Sequence, residues 1–360
     1  MLAAAGGREE SVMSSQLVRP VVRELEAYQP GEQPQGMRVV KLNTNENPYP
    51  PSPRVLEAIR AAANDDLRLY PDPVANRLRD RAAEVYGVGR NQILVGNGSD
   101  ELLALTMRAC VAPGDSVVYP FPTYSLYDTL VTVQDGQPVH VPYPADFTLP
   151  PGIAEQGGRV TFICHPNSPS GTAVPMARIR DLAAGVRGLL VVDEAYVDFA
   201  EESALALLAD YDNVLVLRTF SKSFSLAGMR IGLAFGNAGL IGQISKVKDS
   251  YNLNRLSIVA GAAALEDYEW MRANVARICA TRTRLSSELR RRGFEVLPSQ
   301  ANFVLARRPG QVLEGSYRSI REQGILVRYF PTPELRDALR ISVGTDEEVD
   351  ALLRAVDAST

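Results

Sequence analysis

Lys222 stands in the run Thr219-Phe220-Ser221-Lys222-Ser223-Phe224-Ser225-Leu226-Ala227-Gly228-Met229-Arg230, directly after the apolar segment Asn213-Val214-Leu215-Val216-Leu217. Burial and a nearby cation depress the pKa of such an amine. Part of it is then neutral and able to form a Schiff base with a carbonyl compound. Taken alone, the residue also reads as a lysine that caps a strand and reaches solvent. The residues that end the other apolar runs decide between the two.

In open α/β sheets ligands bind outside the carboxyl ends of the strands, so those ends are read in order. After Ile93-Leu94-Val95 comes Gly96-Asn97-Gly98-Ser99-Asp100-Glu101, small residues leading into a helix whose N-terminal N–H groups suit a phosphate. The turn lacks the third glycine of a dinucleotide fingerprint and the lysine of a P-loop, and an ordinary capped turn reads the same way. After Val117-Val118-Tyr119 comes Pro120-Phe121-Pro122-Thr123-Tyr124, where Tyr124 either packs inward or covers a planar ligand. His165-Pro166-Asn167-Ser168-Pro169-Ser170-Gly171-Thr172 is a stiff turn that aims the Asn167 amide, with His165 read as structural. After Leu189-Leu190-Val191-Val192 comes Asp193-Glu194-Ala195-Tyr196. A carboxylate at the end of a wholly apolar strand requires a cation or several donors, unless it merely caps the next turn.

Together the groups are complementary to one ligand. They comprise phosphate donors at Ser99, Ser221 and Arg230, a stacking ring at Tyr124, and Asn167 and Tyr196 for a phenolic oxygen. Asp193 suits a ring nitrogen, and Lys222 an aldehyde. Pyridoxal 5'-phosphate has all of those features. The joint pattern is far more specific than any member and favours the reactive reading of Lys222.

Strand-like runs at 92–95, 116–119, 160–164, 189–192, 214–217 and 231–235 alternate with helical stretches such as 100–110 and 175–184. This reads as an α/β domain of buried parallel strands with crossover helices. Upstream, Ser52-Pro53 starts a helix with Val55, Leu56 and Ile59 along one side, and a second helix spans 74–86 and stops at Gly87. Near Asp267 the pattern changes to a long helix reaching Arg292, then strands at 301–306 and 339–343. A last helix opens at the capping box Thr345-Asp346-Glu347-Glu348. The expected division is an N-terminal arm at 1–40 with a disordered start, a large cofactor-binding domain at 41–265, and a small C-terminal α+β domain at 266–360. Met13 is an alternative start.

Composition narrows the function classes. A 360-residue chain with 46% hydrophobic and 22% charged residues is globular and long enough for two cores. Its net charge of -4 disfavours a nucleic-acid partner. No apolar stretch approaches the roughly 20 residues that span a bilayer. Cys110, Cys164 and Cys279 have no metal-ligand spacing and read as reduced thiols of a cytoplasmic protein. With only His140 and His165 available, no metal site is expected.

On these residues the chain resembles the fold type I pyridoxal-phosphate aminotransferases, class II subgroup, and most the histidinol-phosphate aminotransferases. The resemblance runs from roughly Leu17 to the C-terminus. It rests on the strand-end segments above with Leu42-Asn43-Thr44-Asn45-Glu46-Asn47-Pro48, Tyr70-Pro71-Asp72 and Leu339-Arg340-Ile341-Ser342. It implies a mostly parallel central sheet with helices on both faces, plus the smaller C-terminal α+β domain. It implies that Lys222 holds the cofactor and moves the substrate α-proton, while Asp193 keeps the ring nitrogen protonated. Gly98, Ser99, Asp100, Ser221 and Arg230 would surround the phosphate. Tyr70 would reach the cofactor of the other subunit, which implies a homodimer with shared sites. Arg340 would bind the amino-donor carboxylate, Arg328 a substrate phosphate, and Tyr28, Asn47 and Asn302 would line the substrate pocket. The implied reaction is transamination of histidinol phosphate with 2-oxoglutarate or glutamate. Alternatives on the same scaffold are an aromatic amino-acid aminotransferase and a threonine-phosphate decarboxylase. A sensor domain of a transcription regulator is disfavoured, because the arm before Lys41 is too short for a DNA-binding module.

Overall fold

A strand covered on both faces has no polar side to show, and the all-apolar runs become the interior of one sheet. The computed structural model describes residues 16–25, 31–33 and 39–359. The strands among them are β1 (Val40–Lys41), β2 (Ile93–Asn97), β3 (Ser116–Phe121), β4 (Gln137–Pro142), β5 (Val160–Cys164), β6 (Leu189–Asp193), β7 (Val214–Thr219), β8 (Ile231–Gly236), β9 (Glu295–Val296), β10 (Phe303–Arg307), β11 (Ile325–Leu326), β12 (Arg328–Tyr329) and β13 (Ala338–Ser342). Seven form the central sheet in the order β2-β8-β7-β6-β5-β3-β4.

Period-two alternation divides the side chains of this sheet between two cores. Leu190, Val192, Val214 and Val216 face one side with Val55, Leu78, Ile179 and Ile258 from helices Pro53–Ala62, Asn76–Tyr86, Met176–Gly185 and Arg255–Glu266. Val191, Leu215 and Leu217 face the other, against Leu102, Tyr127 and Ile241 from helices Ser99–Cys110, Leu126–Val133 and Ala238–Ile244. A third core lies in the smaller C-terminal domain, where Ile278, Phe303, Ile341 and Leu352 join the antiparallel sheet β12-β13-β10-β9 to helices Tyr268–Arg291 and Asp346–Ala358. β1 pairs in parallel with β11, so the chain just before the site residues 43–47 is fastened to that domain. The Thr345 capping box forms as expected, with the Thr345 hydroxyl accepting from Glu348 N and the Glu348 carboxylate from Thr345 N.

The structure corrects the sequence reading in several places. β8 runs antiparallel to both β2 and β7, because segment 220–230 is too short for the crossover that a parallel partner requires. β4 was not expected, since an edge strand with Pro138 and Pro142 and half-exposed side chains carries no apolar run. Residues 255–266 are helical and mostly buried, an Ala-rich segment with no polar face to reveal its period. Leu56 is exposed rather than packed with Val55. The second helix begins at Asn76, since Ala75 has φ 51° in the left-handed region. Tyr28 and the expected disorder at the start of the arm lie outside the described residues.

Candidate active site

The carboxyl ends of β2, β3, β5, β6 and β7 meet a cavity of about 370 Å³ that also reaches Arg328, Phe330 and Arg340 of the smaller domain. One end of it suits an anion. Gly98 at φ 81° turns the chain from β2 into the helix Ser99–Cys110, and any Cβ there would lie 2.6 Å from the Arg230 guanidinium. Arg230 donates from Nη2 to Asp100 Oδ2 (3.0 Å) and from Nη1 to Ser221 Oγ (3.1 Å). The helix N-terminus, the Ser221 hydroxyl and the Arg230 guanidinium thus lie together, with the Asp100 carboxylate paired to Arg230.

Next to it lies Asp193, 2% exposed. The Tyr127 hydroxyl donates to its Oδ2 (2.8 Å) and Ala195 N to its Oδ1 (3.2 Å). Burial pushes this carboxyl up to about 6, against the pull of the Tyr127 and Ala195 donors. Among the described residues no cationic side chain pairs with it. A buried carboxylate met only by neutral donors fits a protonated ring nitrogen. Tyr124 stands over this region at the same strand-end face, edge-on to Tyr127 at 5.7 Å, and its hydroxyl donates to Asp100 Oδ1 (3.2 Å).

Lys222 enters the cavity from the turn after β7. Its Nζ donates to Thr44 O (3.2 Å) and lies 5.7 Å from the centre of the Tyr196 ring. Enclosure of the amine lowers its pKa to about 8, helped by the charge of Arg340 and opposed by Glu46. The Tyr196 hydroxyl, pushed up to about 12 by burial, accepts from Asn45 Nδ2 (3.1 Å). Asn45 is held at φ 58°, its backbone N–H on Ser342 Oγ and its side-chain oxygen accepting from the same hydroxyl (both 2.9 Å).

The other expected site residues divide into three groups. Arg328 and Arg340, register partners across β12 and β13, both line the cavity near the Phe330 ring, at 5.4 and 5.6 Å from its centre. Arg340 also donates to Asn43 O (2.9 Å) and Ser168 Oγ (3.2 Å). Asn167, Asn47 and Asn302 sit behind the wall. The Asn167 oxygen accepts from Thr123 Oγ1 (2.8 Å) and its amide donates to Ser170 Oγ (2.9 Å). Asn47 donates to the backbone oxygens of Lys222 (3.2 Å) and Ser223 (3.0 Å), and Asn302 to Asn45 O (2.9 Å). Tyr70 is 78% exposed, stacked on Tyr251 at 4.4 Å and away from this chain's cavity.

Several lining residues carried no assigned role in the sequence reading: Thr44, Asn45, Thr123, Ser168 and Phe330. Phe330 precedes Pro331-Thr332-Pro333, a stiff segment that was a readable signal. Cys164 lines the cavity beside Asp193, its register partner, and burial raises its pKa.

Residues 37–356 match the aminotransferase class I and II family. A histidinol-phosphate aminotransferase of Trichormus variabilis is 47% identical over 342 residues, covering 94% of this chain and 97% of the relative. One of Rhizobium meliloti is 46% identical over 347 residues, covering 95% and 99%. The solved histidinol-phosphate aminotransferase from Sinorhizobium meliloti, in complex with pyridoxal-5'-phosphate, aligns with a TM-score of 0.86 at 29% identity, over 95% of this chain and 97% of that one. With a lysine, an aspartate and a glycine-turned helix N-terminus gathered at the strand ends of this sheet, the chain belongs to the class I and II aminotransferases, in their histidinol-phosphate aminotransferase group.

Proposed function

We propose that the protein is a pyridoxal 5'-phosphate-dependent aminotransferase that moves an amino group between L-histidinol phosphate and 2-oxoglutarate or glutamate in histidine biosynthesis. The observation that carries this reading is the near-full-length identity to histidinol-phosphate aminotransferases. The cavity supports it with two guanidinium groups besides Arg230, those of Arg328 and Arg340.

When bound, the cofactor supplies an electron sink for the charge left on the substrate α-carbon. The helix start Gly98-Ser99-Asp100, through its N–H groups, would bind its phosphate together with Ser221 and Arg230, with Tyr70 contributed by a second subunit. Tyr124 stacks on the ring, and Asn167 and Tyr196 hold the phenolic oxygen once the Asn167 amide turns from Ser170. Asp193 keeps a proton on the ring nitrogen. Lys222, neutral in a usable fraction near its pKa of about 8, holds the cofactor between turnovers and carries the α-proton during them. Arg340 takes the carboxylate of glutamate or 2-oxoglutarate, and Arg328 the phosphate of histidinol phosphate. Tyr28, Asn47 and Asn302 complete or support the substrate side. The working form is a cytoplasmic homodimer, with residues 41–265 as the cofactor domain and 266–360 as the small domain.

In a substrate panel with 2-oxoglutarate as acceptor, histidinol phosphate outpaces phenylalanine. Arg328→Ala lowers kcat/KM for histidinol phosphate by about 10–100-fold, the worth of a charged hydrogen bond, and leaves phenylalanine turnover unchanged. Equal losses for both substrates would remove the phosphate role, and release of carbon dioxide from threonine phosphate would point to a decarboxylase.

Sedimentation of the cofactor-loaded protein gives twice the mass of one chain. A monomer with full activity contradicts a shared site and the role of Tyr70.

Asp193 has a raised folded-state pKa, about 6 against the usual 3.8, so its ionisation opposes folding. That cost is absent below about pH 3.8, grows as pH rises, and is complete above about 6. Asp193→Asn therefore stabilises the cofactor-stripped protein at pH 8 by roughly 2–3 kcal/mol and has little effect near pH 4, read from denaturant melts. The same gain at both pH values would show that the buried charge is not its source.

A further inference from the structure

Directly behind the two cofactor-facing groups lies a buried cluster of charges that the proposed chemistry does not use. Glu194 follows Asp193 in sequence, and Ser223 follows Lys222. Arg218, on β7, joins the two. Its Nε donates to Glu194 Oε2 (3.1 Å), its Nη1 to Asp198 Oδ1 (3.4 Å) and its Nη2 to Ser203 Oγ (2.9 Å). The second oxygen of Asp198 accepts from the Ser223 hydroxyl. Glu194 also accepts from Ser203 Oγ (2.9 Å), and its backbone N–H donates to Leu217 O (2.8 Å). From the opposite side, Asn47 donates to the carbonyls of Lys222 and Ser223.

Such a cluster is poorly accounted for by stability. Buried ion pairs recover little more than their desolvation cost, and apolar residues of similar volume often serve as well. What the cluster does provide is a direct connection between the end of β6 and the turn after β7. The first carries Asp193, the second Lys222, and catalysis depends on their relative placement to within fractions of an ångström.

We propose that Ser223 and Asp198, backed by Arg218 and Glu194, are positioning residues that fix the Lys222 turn against the end of β6 and so set the direction of the Lys222 amine. This rests on the reading of Lys222 as the cofactor-bearing residue. Ser223→Ala is the discriminating variant, because it cuts the tie to the Lys222 turn and leaves every bond of Arg218 in place. A role confined to the ion cluster would not feel it.

The test compares the parent, Ser223→Ala and Ser223→Thr in their cofactor-loaded forms. The first readout is kcat and KM, and the second is the pH titration of the visible absorbance of the lysine-bound cofactor. The charged groups that face the amine, Arg340, Glu46, Asp100 and Arg230, are the same in all three, so a moved midpoint reports a moved amine. Ser223→Ala lowers kcat about tenfold with KM within about twofold, and displaces the titration midpoint by about half a unit. Ser223→Thr, which keeps the hydroxyl, restores both. If Ser223→Ala does not fold, Ser223→Cys gives the same pair of changes, since it keeps the size, replaces the hydroxyl with a weak donor and leaves the Arg218 bonds in place. A Ser223→Ala protein, or failing that Ser223→Cys, with the parent's kcat and midpoint overturns the proposal. A parent without an absorbing lysine-bound cofactor overturns the functional reading and this proposal together.

Discussion

The structure depends on keeping a carboxylate and an amine enclosed in one cavity without pairing them. Asp193 ends β6 and Lys222 follows the end of β7, and the two strands are adjacent in parallel register, with Asp193 opposite Leu217. Each group is held in a state that burial disfavours, one pKa raised to about 6 and the other lowered to about 8. Neither is neutralised by the other. A ligand that presented a proton to Asp193 and a carbonyl to Lys222 would satisfy both groups at once. The remaining features of the site keep those two groups available and correctly spaced.

The backbone performs much of that work. The antiparallel return of β8 forces the chain through the tight segment 220–230, which carries both Lys222 and Arg230, and so brings the amine close to the Arg230–Ser221–Asp100 cluster. Residues 43–47, tethered to the small domain through β1 and Ser342, close over the amine. Thr44 accepts from it, Asn45 holds Tyr196 and Asn47 holds its backbone. Arg328 and Arg340 enter side by side from adjacent strands of the small domain, each close to the Phe330 ring. Domain placement and substrate chemistry are therefore coupled, because the arginines that would select a substrate are on one domain and the reactive amine on the other.

The sequence made part of this legible for physical reasons. Interior strands show as continuous apolar runs, and Lys222, Asp193 and Arg230 stand out as polar residues where such runs stop. The edge strand β4 and the apolar helix 255–266 have neither signature, the first because it is half exposed and the second because it is buried nearly all round. The direction of β8 is a tertiary property. Asn45 acts through a left-handed backbone and a hydroxyl 297 positions away, so nothing local announces it. The turn at 165–172 points to Asn167 as a ligand contact, and the family resemblance alone points to Asn47 as a pocket residue. The structure directs their amides to Ser170 and to the Lys222 backbone, which only packing could reveal.

Of the four lysines Lys41, Lys222, Lys246 and Lys248, Lys222 alone is expected to carry the cofactor. Borohydride reduction of the pyridoxal 5'-phosphate-loaded protein, followed by digestion and mass spectrometry, tests it directly. A single modified peptide is expected, with the added pyridoxyl mass on Lys222. Modification of Lys41, Lys246 or Lys248 in its place, or no stable modification after reduction, would contradict it.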